Sequence, residues 1–182
     1  TAALVTTASL VVAATAKGTI SDAASTSIAA TVLSAIGAKT SGIVTVTNAI
    51  VITGTAAQVT AALVTADTLV VAATTLGTIS DAADVSIAAT VLSAIGGKTS
   101  GAVTVTNAIV VTGTTAALTA AMIGASSVVA ATAKLTGSGT DMTDDQLAAL
   151  DNTTNNIITA TLATGGVADF ANMTNDSGNN VI

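Results

Sequence analysis

The acid–base chemistry open to this chain rests on carboxylates alone, since its 182 residues include ten aspartates and no glutamate, histidine or cysteine. Without imidazole or thiolate, Ser-His-Asp and Cys-His nucleophilic catalysis and the usual zinc ligand sets are excluded. Two aspartate groups are spaced closely enough to act together: Asp81 with Asp84, and Asp141 with Asp144 and Asp145. Such groups could form an acid–base pair, or supply oxygens to calcium, which takes about six to eight of them. Each group also falls where a helix is predicted to begin, and a carboxylate there is stabilised by the helix dipole by about 0.3 to 1 kcal/mol. Helix capping is therefore the primary reading of Asp81, Asp84, Asp141, Asp144 and Asp145, and calcium the secondary one. No catalytic, cofactor-binding or metal residue is assigned, and the chain is read as a non-enzyme.

Other motifs give equally plain readings. Gly96, Gly97 and Gly101 lack the spacing ahead of a helix that cradles a phosphate, so they are turn residues, and Lys39 and Lys98 beside the two copies of this turn are solvated charges. Net charge is −6 with four lysines and a single aromatic residue, which leaves neither a phosphate-neutralising cluster nor a base-stacking platform and excludes nucleic acid as a partner. Asn152, Asn172 and Asn175 each open an Asn-x-Ser/Thr sequon and are possible glycosylation points in a secreted protein, on the loops expected from Asp151 to Asn180. The pairs Thr45 with Thr47, Thr104 with Thr106 and Thr159 with Thr161 could present hydroxyls to ice or polysaccharide if they stood on consecutive strands about 4.7–4.9 Å apart. The intervening "LVVAAT" segment is expected to break that ladder, leaving the threonines as solvent-facing filler.

The elements that must position these residues come from a repeat. "SGIVTVTNAIVITGT" (Ser41–Thr55) returns as "SGAVTVTNAIVVTGT" (Ser100–Thr114), and at this offset of 59 about 46 of the first 59 residues match. A diverged third copy starts near Thr119, so residues 1–182 are one continuous array of blocks 1–59, 60–118 and 119–182. The array opens in the phase of Thr60 and closes on an apolar pair, which predicts a segment of a longer chain.

Within a block, Val103 and Val105 alternate with Thr104 and Thr106, the period of a strand with one wet face. Thr55 with Gln58, and Thr143 with Gln146, have capping-box spacing and predict short helices. Thr68–Thr74 is apolar and β-branched and predicts a buried strand. Ser80 is the predicted N-cap of the longest helix, with Asp81 near its positive end, Ala88, Val91, Leu92 and Ile95 on one face and Gly96 at its end; its first copy runs from Ser21 to Gly37. Asp84 is replaced by Ser25 in that copy, so the carboxylate pair is not kept.

The fold class that follows is an α/β solenoid of stacked strand-helix repeats, two units of roughly 30 residues per 59-residue block; the alternative is an all-β solenoid with coils of about 20 residues. A core of Ala, Val, Ile and Leu with one Phe and no Trp or Tyr suits thin, closely spaced layers. No run of about 18 apolar residues is uninterrupted and no signal peptide is visible, so no membrane insertion is expected. The absence of cysteine leaves the redox compartment open.

The stretch "TISDAADVSIAATVLSAIGGKTSGAVTVTN" (Thr78–Asn107), with "VITGTAAQVTAALVT" (Val51–Thr65), resembles the tandem repeats of giant secreted bacterial surface proteins of cyanobacterial type, which often also carry hemolysin-type calcium-binding (RTX) modules. The resemblance covers nearly the whole chain and implies an extracellular or cell-surface location. It departs from the calcium-binding module itself, because no Gly-Gly-x-Gly-x-Asp nonapeptide occurs, and calcium is not carried over to any residue.

The expected function is that of an extracellular structural repeat protein, forming a filament, stalk or surface layer by repeat stacking. Its partner would be itself, end to end or within a giant chain. The alternative is an adhesin or an ice- or polysaccharide-binding module using a threonine-rich strand face toward other cells or polysaccharide.

Overall fold

A computed structural model of the chain describes residues 14–65, 70–124 and 128–164. The elements in chain order are β1 (Gly18–Ile20), β2 (Ser27–Ala29), α1 (Ala30–Gly37), β3 (Val44–Val46), β4 (Val51–Gly54), α2 (Ala56–Leu63), β5 (Val70–Val71), β6 (Leu76–Ile79), β7 (Ser86–Ala88), α3 (Ala89–Gly96), β8 (Val103–Val105), β9 (Val110–Thr114), α4 (Thr115–Met122), β10 (Val128–Val129), β11 (Lys134–Ser138), α5 (Asp144–Asp151) and β12 (Ile158–Thr159). The described residues form an α/β fold of parallel sheets and five helices, not closed into a barrel. The all-β alternative is thereby excluded.

Residue pattern accounts for the elements. In β3 and β8 the valines are buried and the threonine between them is exposed, as the alternation requires. At Thr55 and at Thr143 the hydroxyl accepts the backbone N–H three residues on, while the Gln58 or Gln146 side chain accepts the N-cap N–H; both capping boxes close as their spacing predicts. Thr114 caps α4 with its hydroxyl alone, since Ala117 stands where a glutamine would complete the box.

The chain forms two compact units, residues 1–80 with 94–104 and residues 81–93 with 105–182. In the first, β1, β3 and β5 are neighbours in one parallel sheet, with Gly18 opposite Val44 and Val44 opposite Val70. In a second sheet β2, β4 and β6 are parallel neighbours, Ile28 opposite Ile52 and Ile52 opposite Gly77, and β8 follows β6 through the bond from Gly77 N–H to the Ala102 carbonyl (2.9 Å). Helices α1 and α2 pack on each other in this unit, burying Leu33, Val59 and Ala62.

In the second unit β7, β9, β11 and β12 are parallel neighbours, and Ile87, Val111, Leu135 and Ile158 stand opposite one another in sequence. All four are buried, at 6 % exposure or less. Full burial of such a side chain is worth about 1.5–3 kcal/mol, so this aliphatic column is a main source of the unit's stability. One residue further on, Ala88, Thr112, Thr136 and Thr159 form the outward column of the same four strands.

Several expectations require correction. The helix predicted from Ser80 begins at Ala89, and its first copy at Ala30 rather than near Ser21. Three residues that fit a helical face, Ser86, Ile87 and Ala88, are instead a strand, because Ile87 gains a partner in Val111 that lies 24 positions away and is invisible to local propensity. Neither Ser80 nor Asp81 is a helix cap, and the N-cap of α1 is Ala29, with no side-chain bond. Of the strand predicted over Thr68–Thr74, residues 70–74 are described and Val70–Val71 alone is strand, with Val70 buried and Val71 47 % exposed, while 73–74 is a turn. Stacked strands are 23 to 26 residues apart, from Thr136 opposite Thr159 to Gly18 opposite Val44. A 59-residue copy is therefore two strand-strand-helix passes, β1-β2-α1 and β3-β4-α2, with the extra strand β5, and not two strand-helix units of roughly 30.

Candidate functional site

The aspartates do not gather. Asp81 and Asp84 lie in the turn between β6 and β7, where Asp84 has φ 64° and donates its N–H to the Ala108 carbonyl at 2.9 Å. This turn needs a left-handed residue, which Asp tolerates better than most, and Ser25 takes the same conformation (φ 66°) at the equivalent position of the first copy. The Asp84 carboxylate accepts from Lys134 Nζ at 2.6 Å, with both side chains open to solvent. Asp141 accepts a hydrogen bond from the buried Thr115 hydroxyl (3.0 Å), and Asp144 and Asp145 occupy the first turn of α5, as their spacing predicts. Among the described residues no three acidic side chains are grouped so as to hold a metal ion.

The two Gly-rich turns serve backbone pairing rather than phosphate binding. Thr40 donates its hydroxyl to the Ala16 carbonyl and accepts the Gly42 N–H at 3.0 Å. Thr99 repeats this with the Thr75 carbonyl and the Gly101 N–H (3.1 Å), and Thr154 with the Ala133 carbonyl and the Asn156 N–H (3.2 Å). The next residue adds a backbone bond of 2.7–2.8 Å in all three cases, from Ser41 to Ala14, Ser100 to Ala73 and Asn155 to Ala131. Each threonine thus joins its own pass to the chain 21 to 24 residues earlier. Sequence reasoning missed these staples; the signal was the pair of identical "KTSG" turns, Lys39–Gly42 and Lys98–Gly101, whose threonine is buried (Thr40) or half-buried (Thr99) while its lysine is exposed. Asn48 and Asn107 are a second recurring device, their amides donating to the Asp22 and Asp81 carbonyls at 2.7 Å.

The threonine ladder is broken at one place, as expected, and formed at another, where none was expected. Thr45 stands between Thr19 and Val71, so β5 breaks that column as predicted. In the second unit, however, Thr112, Thr136 and Thr159 occupy three consecutive strands, with Thr114 opposite Ser138 alongside. Asn152 is exposed at the C-cap of α5 with its amide donating to the Ala148 carbonyl (2.9 Å), while Asn172 and Asn175 lie outside the described residues.

The first unit also holds a cleft of about 450 Å³ lined by Ile20, Ile28, Val32, Leu33 and Ile36 beside β1 and β2, with Asp22 as its ionisable residue. An aliphatic wall with one carboxylate offers contact and no acid–base pair. No helix among the described residues is long and apolar enough to cross a membrane. No family model, curated protein or solved structure matches the chain.

Proposed function

We propose that this chain is a structural repeat protein: an α/β solenoid that builds an extracellular filament, stalk or surface layer of the cell by stacking one copy on the next, without catalysis. The observation that carries this reading is the recurrence of one junction. β4 meets β6 with Ile52 opposite Gly77, and β9 meets β11 with Val111 opposite Leu135, each accompanied by the same backbone bond, Leu76 N–H to Ile50 (2.9 Å) and Lys134 N–H to Ile109 (2.8 Å). Nearest-neighbour interfaces of this kind add along an array, so length is gained without any single strong contact. The resemblance to giant secreted surface proteins and the scarcity of lysine support the location outside the cell. Cryo-electron microscopy of the native assembly tests the reading: continuous density with a strand spacing of about 4.7–4.9 Å is expected, and discrete particles closed at both ends would sink it.

A second reading, an adhesin or an ice- or polysaccharide-binding module, is supported by the column Thr112, Thr136 and Thr159, whose side chains face outward from the buried Val111, Leu135 and Ile158. Retention of the chain on immobilised polysaccharide or on ice, lost on Thr136→Lys, would favour it over a purely structural role.

A further inference from the structure

The two junctions between copies share a backbone and differ in one pair of side chains. In the order β2-β4-β6 the strands β2 and β4 belong to copy one and β6 to copy two; in β7-β9-β11 the same division falls between copies two and three. Ser25 and Asp84 stand two residues before the first strand of each set, in left-handed turns (φ 66° and 64°) whose N–H groups donate to the Ala49 and Ala108 carbonyls, both at 2.9 Å. Leu76 and Lys134 open the third strand, opposite Val51 and Val110. Ser25 with Leu76 therefore holds the places of Asp84 with Lys134. At the second junction Lys134 Nζ reaches past the intervening β9 to the Asp84 carboxylate (2.6 Å), so the ion pair links strands that are not neighbours. At the first, neither residue ionises. Serine gives way to aspartate where leucine gives way to lysine, a matched exchange between two otherwise similar seams. Lys17 has the position of Lys134 in copy one but belongs to neither junction.

We propose that Asp84 with Lys134 is an address that makes β11 of copy three select the seam of copy two over the nearly identical seam of copy one, which Ser25 with Leu76 reserves for β6. The two seams offer "VITG" (Val51–Gly54) and "VVTG" (Val110–Gly113) in one register, Thr53 opposite Thr78 and Thr112 opposite Thr136. Backbone hydrogen bonds carry no information about which copy supplies them, so edges this alike need a difference in side chains to avoid mispairing. Exchanging the partners would set Leu76 against the Asp84 carboxylate and leave Lys134 facing the Ser25 hydroxyl. Both ends of the ion pair are open to solvent, and such a pair adds little to stability. Selection depends only on the difference between right and wrong partners, which for an exposed pair is about 1.5- to 5-fold. The contact forms across β9 and is complete only with β9 seated in between, so it checks the order of three strands at once. A turn with a carboxylate thus takes a copy with a cation, and a turn with a serine takes a copy with a leucine. This inference rests on the stacked-array reading and states which copy follows which within it.

The test uses the absence of cysteine. Thr112→Cys with Thr136→Cys marks the native seam, and Thr53→Cys with Thr136→Cys marks the wrong one, since β4 offers Thr53 where β9 offers Thr112. Paired strands lie about 4.7–4.9 Å apart, inside the roughly 4.4–6.8 Å that a disulfide spans. Each full-length variant is refolded from urea under mild oxidation, and its links, within or between chains, are mapped by mass spectrometry. The native link is expected throughout. The wrong link is expected as a minor product that rises about 1.5- to 5-fold on Lys134→Leu. It should rise equally on Ser25→Asp, which gives copy one the carboxylate and leaves the native seam untouched. Sodium chloride at about 1 M, where the screening length falls to about 3 Å, should raise it in the parent pair and leave it unchanged in Lys134→Leu. A wrong link indifferent to both substitutions and to salt, with the native link intact, would overturn the address and leave the array reading standing. Absence of the native link from the parent would overturn both.

Discussion

Gly101→Ala measures how much the threonine-glycine staple holds. A methyl group on Gly101 would lie 2.2 Å from the Thr75 carbonyl oxygen and 2.8 Å from its carbon, so the backbone itself has to move. The contact belongs to the same carbonyl that accepts the Thr99 hydroxyl, and a shift of the turn also loosens Gly101 N–H to Thr99 Oγ1 (3.1 Å) and Ser100 N–H to Ala73 (2.8 Å). Three hydrogen bonds at about 0.5–1.5 kcal/mol each, or forced overpacking at about 1–3 kcal/mol, overlap at an expected loss of roughly 1.5–3 kcal/mol. In urea, where a small protein loses about 1–3 kcal/mol of stability per molar, the midpoint should fall by about 1–2 M, and amide exchange at Ser100 should accelerate before that of the buried strands. Gly97→Ala is the control, since Ala38 already occupies the equivalent position in the first copy. A Gly101→Ala midpoint within about 0.3 M of the control, at that same slope, would refute the staple as a source of stability.

Four further outcomes follow from other parts of the structure. Ser25→Gly relieves a left-handed non-glycine residue (φ 66°) and should raise stability by about 0.5–1 kcal/mol in urea unfolding; removing the Lys134–Asp84 pair by Lys134→Met should change it by less than about 1 kcal/mol, because both ends are solvent-exposed. Thr55→Ala opens the capping box of α2 and should cost about 1 kcal/mol, detectable as faster amide exchange at Gln58 and Val59. Leu135→Ala, in the inward column, should cost about 2–5 kcal/mol by calorimetry, while Thr136→Ala, on the outward face one residue away, should stay within about 0.5 kcal/mol of the parent.

The parts of the fold that were legible in the sequence are those set by neighbours along the chain. Thr55 with Gln58 and Thr143 with Gln146 carry both halves of a local hydrogen-bond exchange, and the Val-Thr-Val alternation needs only a wet side and a dry side. What stayed hidden depends on partners about 25 residues away. Ser86-Ile87-Ala88 reads as the flank of a helix until Val111 is placed beside it, and Thr112, Thr136 and Thr159 are unremarkable singly because their column exists only across three strands. The carboxylates misled for a related reason. Asp81 and Asp84 have the spacing of a helix start, but the chain uses Asp84 for a left-handed turn, a conformation its first-copy counterpart Ser25 shares without a carboxylate.

Because each sheet among the described residues crosses a boundary between copies, the boundary of the sequence repeat and the boundary of the folded layer do not coincide. Adding or losing a whole 59-residue copy exchanges one β4-to-β6 type seam for one of the same backbone register, so the gene can lengthen or shorten by recombination between copies without any new surface having to evolve.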